Sequence, residues 1–195
     1  ALRHHQKETL PNVATIADGI AVKTPGDLTY DLCSRYVDDI VTVTDDEIST
    51  AILTLIEQQK LIAEGAGAVS VAAVLFNKIP VEGRSVVCLV SGGNIDVTIL
   101  SRVISRGLLK AGRSADITIE LLDKPGQLSG VSDIIARAGG NVVSVYHDRG
   151  DLDTDINGCY LRLVMETRDH EHVRQIEKAL TDAGYTLVKK ERTIG

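Results

Sequence analysis

The sequence predicts an α/β chain in two parts, and three observations carry that reading. First, Val86-Val87-Cys88-Leu89-Val90 is an unbroken apolar run that stops at Ser91-Gly92-Gly93-Asn94, ahead of an amphipathic segment. That is the pattern of a buried parallel strand, a tight loop and a helix. Second, the segments before it carry helical spacing, including a stretch of small residues able to lie close against a sheet. Third, the period changes at Ala115: Ile117, Ile119 and Leu121 alternate with Thr118 and Glu120, as in a half-buried strand. The elements after that point run β-α-β-β-α-β over about eighty residues, a ferredoxin-like split βαβ order. The expected architecture is an open parallel-sheet lobe over residues 1–112 and a small α+β domain over residues 113–195.

The elements follow in order. Residues 1–14 are polar and include His4-His5. Neighbouring histidines on an exposed segment rarely converge on one ion, so no metal is expected there. Gly19, inside Ile16–Val22, marks a turn or a close backbone approach. Thr24-Pro25-Gly26-Asp27 punctuates the chain before a short helix to about Tyr36. Residues 38–43 read as a short strand. Thr44 and Glu47 match a capping box, and Ile48, Ala51, Ile52, Leu55 and Ile56 set a helix over 45–60. Asp45, Asp46 and Glu47 suit the positive end of that helix better than a metal. Glu64 precedes a helix of small residues ending near Leu75; a charge there is either a solvated cap or a group at the rim of a crevice. Residues 78–84 are a surface connection, 86–90 the central strand, 95–109 a helix, and 110–113 a linker.

In the second part, Asp123-Lys124-Pro125-Gly126 is a turn, and Leu128, Val131, Ile134 and Ile135 build a helix that stops at Gly139-Gly140-Asn141. Residues 142–149 form the second strand, 150–158 an acidic hairpin loop and 159–166 the third strand. Asp169 caps a helix bearing Val173, Ile176, Ala179 and Leu180. Gly184 ends it, and 186–192 form the last strand. His147, Asp148 and Arg149 at a strand end, and His170 with His172, are better explained by strand-end polarity and helix solvation than by metal.

Bulk properties narrow the function. A net charge of −6, 3% aromatic residues and no Trp argue against a nucleic-acid partner. No stretch approaches the roughly 20 apolar residues of a membrane span, and no signal peptide pattern opens the chain. Cys33, Cys88 and Cys159 are widely spaced and odd in number, as expected of reduced thiols in a cytoplasmic protein.

Two loops carry candidate chemistry. In open α/β sheets, ligands bind at the carboxyl ends of strands, where Ser91 and Gly92 stand. Glycines there let backbone approach a ligand, although an ordinary βα turn fits the same residues. The turn Asp123, Pro125, Gly126 and the helix start at Gln127 and Leu128 offer N–H groups and a positive dipole end suited to a carboxylate. Asn141 offers an amide. A plain tight turn and a helix stop describe these residues as well.

Thr15-Ile16-Ala17-Asp18-Gly19, the run Val37 to Ile48, Glu64-Gly65-Ala66-Gly67 and Ser91-Gly92-Gly93-Asn94 together resemble the tryptophan-synthase-β superfamily of pyridoxal-phosphate enzymes, with threonine dehydratases nearest. Asp123-x-Pro125-Gly126-x-Leu128, with Asn141, is similar to an ACT domain. The resemblance implies a partial lobe of the catalytic fold followed by an ACT regulatory domain, with pyridoxal 5'-phosphate as cofactor. It implies L-threonine and L-serine as substrates, an amino-acid effector where ACT domains pair, and a homo-oligomer. It places Ser91 on the cofactor's pyridine nitrogen, with Gly92, Glu64 and Gly19 around the ring and Asn94 bracing the loop.

In that family the Schiff-base lysine lies upstream of the matched part, and no lysine here stands in a comparable motif. The chain also begins Ala1-Leu2-Arg3 without an initiator Met. The expectation is a C-terminal part of the enzyme, inactive alone. The alternatives are a non-catalytic amino-acid-binding or assembly module, and a serine racemase-like enzyme.

Overall fold

A computed structural model describes residues 6–149 and 156–188. The chain divides into two compact units, Ala1–Gly107 and Leu108–Gly195. The His4-His5 pair, most of the loop at 150–158 and the end of the last expected strand lie outside the described residues.

The first unit is helical. Helices α1 (Asp27–Tyr36), α2 (Asp45–Thr54) and α3 (Gly65–Leu75) are followed by most of α4 (Val97–Lys110). The capping box forms as the sequence predicts. Glu47 N–H donates to Thr44 Oγ1 at 3.3 Å, and Thr44 N–H donates to Glu47 Oε2 at 2.8 Å. The last turn of α2 widens into a π-type turn, Leu55–Gln59, which Lys60 closes in a left-handed conformation (φ +60°). Ile48, Ala51, Ile52 and Leu55 meet Ala63, Ala68, Ala72 and Val103 in one apolar core. The three acids act as expected of helix-end charges. Asp45 accepts Ile16 N–H at 3.3 Å, Asp46 pairs with Arg106 at 3.1 Å, and Glu47 pairs with Lys78 at 2.8 Å.

The open parallel sheet is not observed among the described residues. Residues 38–43 and 86–90 form no ladder, and Val87 and Leu89 are 96% and 77% exposed. Apolar, β-branched composition reports suitability for a sheet, whereas a parallel strand exists only through hydrogen bonds to neighbouring strands. Among the described residues neither segment has a strand neighbour, so the composition is there without the strand.

The second unit runs β1 (Ser114–Leu122), α5 (Gln127–Arg137), β2 (Asn141–Asp148), β3 (Gly158–Glu166), α6 (His170–Asp182) and β4 (Thr186–Val188). The strands form one antiparallel sheet in the order β2-β3-β1-β4. Pairing of β1 with β3 runs without a break from Ser114↔Glu166 to Leu122↔Gly158. The period-2 alternation sends Ile117, Ile119 and Leu121 of β1, and Leu161, Leu163 and Met165 of β3, to one face. Val131 and Ile135 of α5 and Ile176 and Leu180 of α6 cover that face. Asp169 caps α6 by accepting His172 N–H at 2.8 Å. Gly139 and Gly184, at φ +89° and +91°, close the two helices in the conformation that glycine tolerates best.

Candidate functional site

In the first unit, three glycines and one carboxylate define a locus around the start of α3. Glu64 is the residue before the helix, and its N–H donates to Gly92 O at 3.1 Å. Gly92 is held at φ +75°, and a Cβ on it would lie 2.4 Å from Glu64 Cδ. A Cβ on Gly19 would stand 3.3 Å from Glu64 Oε1. Gly67 is tighter still, since its Cβ would fall 1.6 Å from Ser91 O. Ser70 Oγ donates to Leu89 O at 2.7 Å and fixes the same loop along α3.

Gly19, Glu64, Ser91 and Gly92, from three separate stretches, therefore converge. Ser91 and Gly92 are exposed and Glu64 is half-buried, so the locus lies at an accessible surface. The sequence reading left Gly67 and Ser70 without roles; the stripe of small residues in α3 was the signal for the close approach. It also missed Asp96, which accepts Thr98 N–H at 2.6 Å and Ile99 N–H at 3.3 Å. Those bonds hold its carboxyl below the usual range. Asn94 is exposed at the loop's end. The neighbouring lysines are engaged elsewhere: Lys60 Nζ donates to Glu57 O, and Lys78 pairs with Glu47.

The donor set fits a pyridoxal ring. A serine hydroxyl donates to a ring nitrogen, and bare glycine backbone lets a flat ring approach. A methyl group at Gly92 would collide with Glu64, so it is the glycine that lets the carboxylate lie against this exposed loop.

In the second unit, a cleft of about 420 Å³ lies at the turn between β1 and α5. Asp123, Pro125, Gly126, Gln127 and Leu128 all line it. Lys124, His147, Arg149 and Cys159 join them. Arg149 Nε donates to Asp123 Oδ2 at 3.0 Å, and His147 Nε2 stands 3.7 Å from Asp123 Oδ1. Burial pushes the Cys159 thiol above its ordinary range, Asp123's charge adds to that, and Arg149 opposes it. Asn141 stands apart from this group. It is at the far end of β2 from His147, roughly 20 Å along the strand, and its amide donates to Glu166 Oε2 at 2.8 Å. His170 and His172 serve the fold: His170 Nε2 bonds Lys110 O, and His172 is buried between backbone groups.

Residues 1–92 match the family model described as "Pyridoxal-phosphate dependent enzyme". An L-threonine ammonia-lyase of Thermotoga maritima is 48% identical over 187 residues, covering 96% of this chain and 46% of that protein. A second L-threonine ammonia-lyase, from Geobacter sulfurreducens, is 41% identical over 178 residues, covering 91% and 44%. The chain thus spans about half the length of these curated relatives. Among solved structures, the processed form of threonine deaminase isoform 2 from Solanum lycopersicum aligns with a TM-score of 0.48 at 33% identity, over 55% of this chain and 30% of that one. Residues 1–92 are thus similar to a pyridoxal-phosphate dependent enzyme domain, and pyridoxal phosphate is the cofactor the match implies.

Proposed function

We propose that the chain is part of a threonine ammonia-lyase, with residues 1–112 contributing to the catalytic domain and residues 113–195 forming an ACT-type, ferredoxin-like regulatory domain. The reaction is the conversion of L-threonine to 2-oxobutanoate and ammonia, with L-serine as a second substrate. The observation that carries this reading is the convergence of Gly19, Glu64, Ser91 and Gly92 on one exposed cradle. The identity to a threonine ammonia-lyase supports it, because 187 matched residues extend across both units.

Bound pyridoxal phosphate would supply the electron sink for loss of the β-hydroxyl. The chain's own residues would bind and orient it. Ser91 Oγ would donate to the ring nitrogen without adding the negative charge an aspartate brings. Glu64 would stand at the ring's edge beside Gly92, and Gly19 would leave one flank open to the ring. Lys60 and Lys78 are engaged by Glu57 and Glu47, and no lysine stands in a motif comparable to the family's Schiff-base lysine. The 195 residues alone are accordingly expected to turn over no threonine.

The second unit is assigned the regulatory role. The cleft presents Arg149, Lys124 and the first turn of α5 to the carboxylate of an amino-acid effector. The unpaired outer edge of β2 suits pairing with a second copy, giving a homo-oligomer. No helix among the described residues is long and apolar enough to cross a membrane. We place the enzyme in the cytoplasm, in keeping with its unpaired cysteines.

The test is a titration of the 195-residue chain with pyridoxal phosphate, followed by visible absorbance and borohydride reduction with intact mass. Binding without a reducible adduct supports the reading. A reducible adduct on this chain, or no binding at all, counts against it. In the enzyme carrying this chain, Ser91→Ala should lower 2-oxobutanoate formation at least about tenfold with little change in KM. D-serine formation outpacing threonine loss would favour a racemase instead.

A further inference from the structure

We propose that Asp123, His147 and Cys159 form a binding site for one divalent transition-metal ion, with zinc as the preferred occupant. One ligand atom from each residue lies within 4.8 Å of the other two. The three residues come from the turn after β1, the end of β2 and the start of β3. The sheet register brings them together. His147 pairs with Leu161, and Cys159, two residues before Leu161, shares its face. Cys159 pairs in turn with Leu121, two residues before Asp123.

The ligand chemistry selects the ion. A thiolate, an imidazole and a carboxylate together suit zinc or cobalt and disfavour calcium and magnesium, which take oxygen sets. Tetrahedral zinc bonds place ligand atoms roughly 3.5 Å apart. The His147–Asp123 pair already stands at 3.7 Å, and both side chains are more than 30% exposed, free to close the remainder. Arg149 holds Asp123 Oδ2 and leaves Oδ1 toward His147. Such a contact commonly orients a carboxylate ligand. The fourth position would face the cleft.

The charge balance also works. A free thiol is protonated at neutral pH, so Cys159 enters the site as the thiol. Binding forms a metal–sulfur bond and releases the thiol proton to solvent. Two ligand charges then offset the ion's, with Arg149 and Lys124 nearby as the remaining cations. The site does not depend on the cleft taking an amino acid, nor on the activity of the first unit.

The experiment is a Co²⁺ titration of the tag-free, reduced 195-residue chain. One equivalent should give a near-ultraviolet thiolate-to-cobalt band, bleached by equimolar Zn²⁺. Cys159→Ser should abolish the band. Because Cys159 is buried and that variant can disturb the core, His147→Gln at the partly exposed strand end provides the second arm. It should weaken Co²⁺ binding by roughly tenfold or more with an unchanged circular dichroism spectrum. Cys33→Ser and Cys88→Ser should leave the band intact. The proposal is overturned by absence of the band in the unaltered chain, by its survival in His147→Gln at full affinity, or by its loss in Cys88→Ser.

Discussion

His172 is 1% exposed, and a buried imidazole needs both ring nitrogens satisfied. Arg168 N–H donates to Nδ1 at 3.1 Å, so Nδ1 must carry the lone pair. The proton is then on Nε2, which donates to Ala138 O at 2.8 Å. The ring thus ties the end of α5 to the start of α6 through backbone groups with no other partner of comparable geometry. His172→Leu keeps apolar volume and removes both bonds. The expected cost is about 1–3 kcal/mol, because the two bonds are part-buried and solvent can reach the freed backbone groups in part. Urea unfolding followed by circular dichroism measures it, and a loss below about 1 kcal/mol would mean that water replaces the ring. Gly67 sets a second constraint at this scale. Gly67→Ala must move the Ser91 loop off α3, because the added carbon would meet Ser91 O at 1.6 Å. Pyridoxal phosphate affinity should fall by an order of magnitude or more in a titration, through displacement of Ser91 and not through loss of any polar group.

At the scale of elements, helix starts are where charge meets structure. Glu47 and Asp169 both accept backbone N–H groups at helix N-termini, and both carboxyls are held below the ordinary range. For Glu47 the Lys78 contact is the largest cause, followed by Thr44 N–H; for Asp169 it is His172 N–H. A carboxyl depressed in the folded state contributes stability above its unfolded value, near pH 4, and loses it as pH falls through the lower folded value. Asp169→Asn keeps an accepting oxygen and removes the titration. Its stability profile below about pH 4 should therefore be flatter than that of the parent in melts taken from pH 2 to 6. Thr44→Ala should cost about 1 kcal/mol at neutral pH, the usual loss of an N-cap. These caps were legible in the sequence, since Thr44, Glu47 and Asp169 act on residues three positions away. So were the glycine stops and the alternation of β1, whose partners are local or period-bound. The parallel strands at 38–43 and 86–90 were misread because a strand depends on a neighbour far along the chain, which composition does not specify. The Gly67–Ser91 approach was likewise hidden, being a contact 24 residues apart with no periodic signature. The grouping of Asp123, His147 and Cys159 was not visible in the sequence, where the three stand far apart; only the register joins them.

At the scale of the whole chain, the two apolar cores share no residue. Substitutions in one should leave the other's unfolding midpoint in place: Thr44→Ala should shift only the first unit's transition and His172→Leu only the second's, read by hydrogen exchange of α2 and α6 amides. The proposed pairing of two copies would form at the sheet's edge. β2 has β3 on one side and no strand on the other among the described residues. Its Val143, Val145 and Tyr146 are 58%, 40% and 55% exposed, which is unusual apolar content for a free edge. The irregularity between Val142 and Ser144 disturbs only the start of the strand and leaves the stretch to Asp148 regular. An edge of this kind is a template for a second copy of itself, each strand able to supply the hydrogen bonds the other lacks. The chain should then sediment at twice its 20.9 kDa mass. Val145→Lys places a charge on the edge, where the long side chain can reach water without disturbing Leu163 opposite. That variant should return to the mass of one chain with its circular dichroism unchanged. A parent chain that sediments as a monomer, or a lysine variant that still dimerises, would place the contact between copies on another surface.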